Sequence, residues 1–331
     1  MESVTSDQLG VSVVVAARNE ASRLPRLLHS LACQHYPKWE VIVVDDYSTD
    51  ATIATARRAG KNLPAFQIIR NAYAPGKKGA LRTGVEHATH PVILFTDADC
   101  QPCSVYWIDA MTQPLRRNAT VEIVVGGSYI LGNGLRACFQ QYDHFWEIQQ
   151  GIWFSQLGRP YLATGRNWAC RKNTWLRLRH IPKFWHTPWG DDDQAILALA
   201  TPNNYRWNLS TQTMVATTPP SSLTHWLYQR QRHLRGGARY PWKLWIGLAL
   251  INLIFTGGWW SFLMTPHWGH LIFLIAWTGM AFRTRRKAYE YGFFRSLPVL
   301  AKWLAIQILY HALLFPVFYL ALPFQRRQRL W

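Results

Sequence analysis

Val92-Ile93-Leu94-Phe95-Thr96-Asp97-Ala98-Asp99 carries an uncharged, mostly apolar run straight into two acids two positions apart. A run without alternation reads as a strand buried on both faces, the kind found inside a largely parallel sheet covered by helices. In open sheets of that kind, ligands gather outside the carboxyl ends of the strands. Here that end carries Asp97 and Asp99. Two carboxylates so placed suit a hard divalent cation, Mg2+ or Mn2+, which keeps its other positions for water and phosphate oxygens. The same residues also fit a solvated turn, because Asp is common after strands. The choice between the two depends on the rest of the chain.

Upstream, the apolar, largely β-branched runs 11–16, 41–44 and 66–69 alternate with segments of helical period such as Leu24, Leu27, Leu28 and Leu31. This pattern predicts a βαβα chain folded as a mostly parallel sheet with helices on both faces. Residues 121–129 add a strand. Over 135–154, Phe139, Tyr142, Phe145, Trp146 and Ile148 form an aromatic helical stripe that reads as packing. Residues 191–201 read as a helix opened by Asp191, Asp192 and Asp193, a placement its dipole favours.

The 331 residues carry 36 Lys and Arg against 18 Asp and Glu, a net charge of +18. Such an excess favours an anionic partner. Its position argues for membrane lipids and against nucleic acid, because Arg230, Arg232, Arg235, Arg239 and Lys243, then Arg283, Arg285, Arg286 and Lys287, border the apolar C-terminal third. Basic residues beside apolar spans mark a cytoplasmic face. Acids are scarce, so their clusters at Glu20, Asp45–Asp46, Asp97–Asp99 and Asp191–Asp193 point to sites. The five scattered cysteines suit a reduced setting, and Cys100-Gln101-Pro102-Cys103 reads as packing. The mostly polar residues before Val11 do not read as a signal peptide.

After Pro219-Pro220, residues 221–240 read as an amphipathic helix at the bilayer interface. Residues 242–264 and 268–282 form two acid-free apolar stretches around a Thr-Pro-His turn, which predicts a transmembrane hairpin. A third stretch, 297–324, either spans or re-enters. If it spans, Arg326-Arg327-Gln328-Arg329 ends outside, against the positive-inside rule.

Seven motifs in order resemble glycosyltransferase family 2, the inverting enzymes of GT-A fold, and in particular its membrane-attached bacterial members. Val13-Val14-Val15-Ala16-Ala17-Arg18-Asn19-Glu20 is similar to the opening strand and nucleotide-facing loop. Val43-Val44-Asp45-Asp46-Tyr47-Ser48-Thr49-Asp50 resembles the second-strand motif that contacts base and ribose, and Gly76-Lys77-Lys78-Gly79-Ala80-Leu81 the glycine-lysine loop. Phe95-Thr96-Asp97-Ala98-Asp99-Cys100 matches the metal-binding strand end. Gly165-Arg166-Asn167-Trp168-Ala169-Cys170-Arg171 resembles the acceptor-side loop, and Trp189-Gly190-Asp191-Asp192-Asp193-Gln194 the motif of the catalytic base. Gln229-Arg230-Gln231-Arg232-His233 resembles Q-x-x-R-W, with His233 in place of Trp.

The resemblance implies a Rossmann-like mixed α/β GT-A domain over 1–220, an interfacial helix over 221–240 and a membrane region over 241–331. It implies a hexosyltransferase of the cell envelope, taking a nucleotide-diphosphate sugar, with a UDP-sugar favoured. The acceptor would be lipid-linked, a glycolipid or a polysaccharide, at the cytoplasmic face of a multi-pass inner-membrane protein. By this resemblance Ala17, Asn19, Glu20, Asp45, Asp46, Lys77 and Asp97 face the nucleotide sugar, and Asp97 and Asp99 hold the metal. Asn167, Arg171 and Arg230 face the acceptor. Asp192, with Asp191 close behind, is the base, and Gln229 and Arg232 act on the leaving diphosphate. Inversion needs such a base, since the attacking hydroxyl must lose a proton. The alternatives are a membrane-attached nucleotidyltransferase, which shares the sheet and the paired acids, and a non-catalytic subunit of a polysaccharide assembly complex.

Overall fold

The computed structural model describes residues 8–132, 134–186, 190–220, 222–237, 239–264, 270–290 and 300–314. The first half follows the alternation of its apolar runs: β1 (Val11–Ala17), α1 (Leu24–Ala32), β2 (Trp39–Asp45), α2 (Thr52–Ala59), β3 (Phe66–Arg70), α3 (Lys77–His87) and β4 (Val92–Phe95). Next come β5 (Cys100–Pro102), α4 (Trp107–Arg117), β6 (Ile123–Gly126), β7 (Ser128–Ile130), α5 (Leu135–Gln156), β8 (Trp168–Arg171), α6 (Lys172–Leu176), α7 (Pro182–Trp185), α8 (Asp193–Leu199), β9 (Tyr205–Asn208) and β10 (Val215–Thr217). Four helices complete the described chain: α9 (Leu223–Gly237), α10 (Trp242–Met264), α11 (His270–Glu290) and α12 (Leu300–Leu309), the last continued by a π-helical turn over Tyr310–Leu314.

Seven strands form one mixed sheet in the order β3-β2-β1-β4-β8-β6-β9, and β5-β10-β7 form a small second sheet. β1 pairs in parallel with β2 and with β4, while β8 runs antiparallel between β4 and β6. Every residue of β1 and β2 is buried, as unalternating Val and Ile runs require. Successive side chains serve opposite faces. Val13 and Val15 pack with Leu24, Leu27, Leu28 and Leu31 of α1 and with Trp107 and Met111 of α4, whereas Val14 and Ile42 pack with Ala80, Leu81 and Val85 of α3. Each α1 leucine taken wholly out of water contributes about 1.5–3 kcal/mol.

The chain divides into two compact units. One holds the residues up to Tyr129 with Gly151–Thr218, and the other Ile130–Gln150 with the residues from Pro219 onward. The boundary expected at 220 lies beside this division, but residues 130–150 group with the C-terminal helices. The reason is the aromatic stripe of α5: within the second unit Tyr142 meets Trp303 and Tyr310 edge-on at 5.3 and 5.1 Å, and the Trp146 indole N–H donates to Asn252 Oδ1 at 3.0 Å.

α10 coincides with the expected stretch 242–264, and it is the one helix among the described residues long and apolar enough to cross a membrane. From His270 on, the stretch expected over 268–282 lies in a longer helix, α11, which continues through Arg283, Arg286 and Lys287. Arg and Lys are good helix formers, and Arg286 pairs with Glu290 one turn on at 2.7 Å. Of the third stretch, 300–314 is helical. The turn at 265–267 and residues 268–269, 297–299, 315–324 and 326–329 lie outside the described residues. The helix expected over 191–201 begins at Asp193, so Asp191 and Asp192 precede it.

Candidate active site

Strand register gathers the candidate residues at one end of the large sheet. β1 has β2 on one side and β4 on the other, so the chain's direction across the sheet reverses there and a crevice opens between the loops after β1 and β4. Ala17 pairs with Asp45 at the ends of β1 and β2, and Val14 pairs with Phe95 just before Asp97. Among the described residues, the two non-glycines with positive φ, Asn19 (56°) and Tyr47 (57°), lie in the loops after β1 and β2. Such backbone persists where surrounding bonds fix it, and it clusters at working sites. The bonds are present here. Asn19 Oδ1 accepts the Thr49 N–H at 2.8 Å, the Asn19 N–H donates to Ser48 Oγ at 3.0 Å, and the Glu20 N–H donates to Thr52 Oγ1 at 2.8 Å.

The two acids after β2 differ in what they touch. Asp45 is buried, and its carboxylate accepts a long contact from the Ser48 N–H at 3.4 Å. Asp46 is wholly buried, and both of its carboxylate oxygens accept the Gly76 N–H at 3.0 Å, while the Asn71 amide donates to Oδ1. Asp46 therefore shapes the loop that delivers Lys77. Gly76, at φ 147°, occupies a backbone region that side chains avoid.

Lys77 opens α3 and joins two acid clusters. Its ammonium is 2.8 Å from Asp97 Oδ1 and 3.2 Å from Asp191 Oδ2. Burial works against its charge, but Asp191, Asp97 and Asp192 outweigh burial and hold its pKa above the usual lysine range. Asp192 Oδ2 accepts the Gly165 N–H at 2.5 Å. A Cβ on Gly165 would lie 2.8 Å from Lys77 Nζ and 3.0 Å from Asp192 Oδ2, so glycine permits this approach. Burial and the adjoining Asp191 push the Asp192 carboxyl up to about 6, with Lys77 pulling the other way. A carboxylate tuned so is a better proton acceptor near neutral pH than an ordinary one.

Oxygens of Asp97 and Asp99 and the Cys100 sulfur lie within 4.8 Å of one another. Burial, and then Asp99 and Asp97, raise the Cys100 thiol well above its ordinary value. The carboxylate pair offers hard oxygen ligands of the kind that suit Mg2+ or Mn2+. Glu20 stands beside this pair, pushed up to about 7 by burial, with Arg23 opposing and Asp99 and Asp97 adding to the rise. Two contributors escaped the sequence reading. Arg23 pairs with Glu20 at 2.7 Å and reaches Asp99 at 3.9 Å, and the Thr217 hydroxyl donates to Asp99 Oδ2 at 3.4 Å. Helical spacing from Glu20 could have suggested Arg23. Nothing in the linear sequence announces Thr217, which arrives through the pairing of β10 with β5 opposite Cys100.

Other expected residues are placed elsewhere. Asn167 is wholly buried and spends its amide within the fold, donating to the Gly127 and Thr213 carbonyls at 2.6 Å and accepting the Trp107 indole N–H at 3.0 Å. Arg171 pairs in register with Val92, at the opposite end of β4 from Asp97, and donates to the Val121 and Leu115 carbonyls at 3.1 and 2.8 Å. Antiparallel β8 carries the motif away from the acids as it advances, from Trp168 opposite Phe95 to Arg171 opposite Val92. Gln229, Arg230 and Arg232 lie on α9 in the second unit. There Arg230 pairs with Asp143 at 3.0 Å and with Glu147 at 3.4 Å, and His233 stands 3.5 Å from Glu147. Arg230 thus ties α9 to α5.

Residues 12–174 match the model of glycosyl transferase family 2. The chain belongs to that family. Among curated relatives, the glycosyltransferase AglE of Haloferax volcanii is 31% identical over 150 residues, covering 44% of this chain and 48% of its own. The 4,4'-diaponeurosporenoate glycosyltransferase of Staphylococcus haemolyticus is 34% identical over 108 residues, covering 32% and 28%. The chain thus spans about half or less of the length of these family members. Among solved structures, the mannosyltransferase PcManGT from Pyrobaculum calidifontis, in complex with GDP-Man and Mn2+, superposes with a TM-score of 0.56 at 18% identity. That match covers 92% of this chain and 88% of its own, a likeness of fold.

Proposed function

We propose that the protein is a metal-dependent inverting glycosyltransferase that moves a sugar from a nucleotide-diphosphate donor to an acceptor hydroxyl at the cytoplasmic face of a membrane. The observation that carries the reading is the meeting of Asp97 and Asp191 on one ammonium, Lys77. A strand-end acid pair fit for a cation and a second acid cluster containing a carboxyl that titrates near neutrality thus face a common space.

In this reading Asp97 and Asp99 hold Mg2+ or Mn2+. When bound, the ion supplies Lewis-acid stabilisation of the departing diphosphate. Ala17, Asn19, Glu20 and Asp45 line the nucleotide, and Asp46 acts through the loop that presents Lys77. Asp192 accepts the proton of the acceptor hydroxyl, with Asp191 keeping its pKa high. The new bond forms between acceptor oxygen and anomeric carbon, while the bond to diphosphate oxygen breaks with its electron pair on the diphosphate. Gln229 and Arg232 enter on their motif alone, Arg232 as a cationic fork for that leaving group.

Attachment to the membrane is supported by α10, which exposes Trp242, Trp245, Leu250, Leu253, Ile254 and Met264, an apolar surface of the kind that marks membrane or partner contact. The basic residues of α11 suit anionic lipid. The acceptor class is lipid-linked, glycolipid or polysaccharide, and one relative is named for 4,4'-diaponeurosporenoate. Among donors, UDP-sugars are the first to assay, beside GDP-mannose.

The test is sugar transfer from radiolabelled UDP- and GDP-sugars in membranes containing the protein, with and without Mn2+. Transfer is expected to need the ion and to be lost in both Asp99→Asn and Asp192→Asn. Undiminished product from both variants would overturn the assignment.

A further inference from the structure

We propose that Lys77 is an exchangeable counter-ion of the metal site: its ammonium and the divalent ion compete for Asp97, and the ammonium passes to the donor diphosphate once the ion takes the carboxylate. This rests on the reading that Asp97 and Asp99 hold the ion.

The argument starts from the contact. Lys77 Nζ lies 2.8 Å from Asp97 Oδ1, at hydrogen-bond distance. A divalent ion on the same oxygen would sit at about 2.1 Å from it, leaving the two cations no more than about 5 Å apart. Their repulsion acts in a partly buried site, since the side chains of Lys77 and Asp97 keep only 25% and 28% of their exposure. One cation has to yield.

The structure shows which one has room to move. The backbone before Lys77 is fixed, because Asp46 grips the Gly76 N–H with both oxygens, so any displacement falls on the four-carbon side chain. Lys is a compact charge on a flexible stem with rotatable donors, suited to changing partners where an arginine fork would be committed to one geometry. Asp191, at 3.2 Å, is a second anchor that keeps the ammonium in the site when Asp97 is taken. The missing Cβ of Gly165 leaves the space beside Nζ that a side chain would fill. Arg23, another cation near the pair, differs in its partners: it is bound to Glu20 at 2.7 Å and only approaches Asp99, at 3.9 Å.

The experiment is Mn2+ binding followed by electron paramagnetic resonance, without nucleotide and then with UDP or GDP. It compares the full chain with Lys77→Met, Lys77→Arg and the charge-matched Arg23→Met. Without nucleotide, Lys77→Met is expected to tighten Mn2+ about tenfold, by loss of a direct competitor, and to weaken the diphosphate in the presence of Mn2+. Lys77→Arg, which retains the charge should Lys77→Met fold poorly, is expected to bind Mn2+ no more tightly than the wild type. Arg23→Met is expected to tighten Mn2+ by less than Lys77→Met. Equal Mn2+ affinity in the wild type and Lys77→Met, or equal tightening by both charge removals, would overturn the exchange and leave the metal site standing. Absence of Mn2+ binding in wild type and Lys77→Met alike would overturn the metal site, and the exchange with it.

Discussion

Asp192→Asn separates activity from stability in opposite directions. A buried carboxyl that titrates at about 6 instead of its ordinary 3.8 is held ionised at pH 7 against a cost of up to about 3 kcal/mol. Asn relieves that cost, which is already net of the pull from Lys77, and can still accept the Gly165 N–H, while its buried amide N–H groups must find partners and take some of the gain back. A net stabilisation of about 1 kcal/mol is expected, or roughly 2–4 °C in Tm for a unit of this size. The sign follows from linkage. With a folded-state pKa above the unfolded one, the wild-type proton contributes stability that is complete below about pH 4 and lost as pH rises through about 6. The variant's advantage is therefore present at pH 7 and shrinks toward zero by pH 4–5. Thermal melts of both proteins across that range, beside transfer rates, make the assay. A variant less stable at pH 7, or a Tm difference that ignores pH, would refute the electrostatic reasoning, and retained turnover would refute the role of base.

Gly165→Ala brings a methyl between Lys77 and Asp192, and an expected loss of about 10- to 100-fold in kcat/KM with a small change in Tm follows from misplacing groups by under an ångström. Cys100→Ala leaves both carboxylates in place, so calorimetry should find Mn2+ affinity within about threefold of wild type; a larger loss would make the thiol a ligand. Arg171→Met forfeits two carbonyl contacts far from the acids and is expected to cost about 1.5–3 kcal/mol in denaturant melts, with kcat and acceptor KM unchanged.

The sheet was legible because its strands announce themselves: unalternating Val and Ile runs at 11–16, 41–44 and 92–96 allow few structures besides strands covered on both faces. The donor acids were legible for the same reason, since each follows such a run. What linear reading missed depends on pairing. Nothing in Gly165–Arg171 says that β8 runs antiparallel to β4, yet that direction leaves Gly165 beside Asp192 and carries Arg171 to the far end of the sheet. The bridge made by Lys77 joins the start of α3 to side chains from two separate loops and has no periodic signature. Asp46 looked like a ligand beside Asp45 because sequence records carboxylates without their hydrogen bonds, and those hydrogen bonds give it a scaffold's task. The aromatic stripe of α5 was read correctly as packing, but the partner it packs with is set by the distant Trp303 and Tyr310, which placed the boundary of the first unit out of reach.

The central claim is that attack falls on the anomeric carbon, and 31P NMR of the spent donor tests it most directly. With donor, acceptor membranes and Mn2+, the account predicts that the nucleotide-sugar resonances give way to those of free nucleoside diphosphate, and that Asp99→Asn and Asp192→Asn abolish the change. Nucleoside monophosphate in its place, with the sugar phosphate carried on the acceptor, would mean attack at phosphorus and would contradict the account.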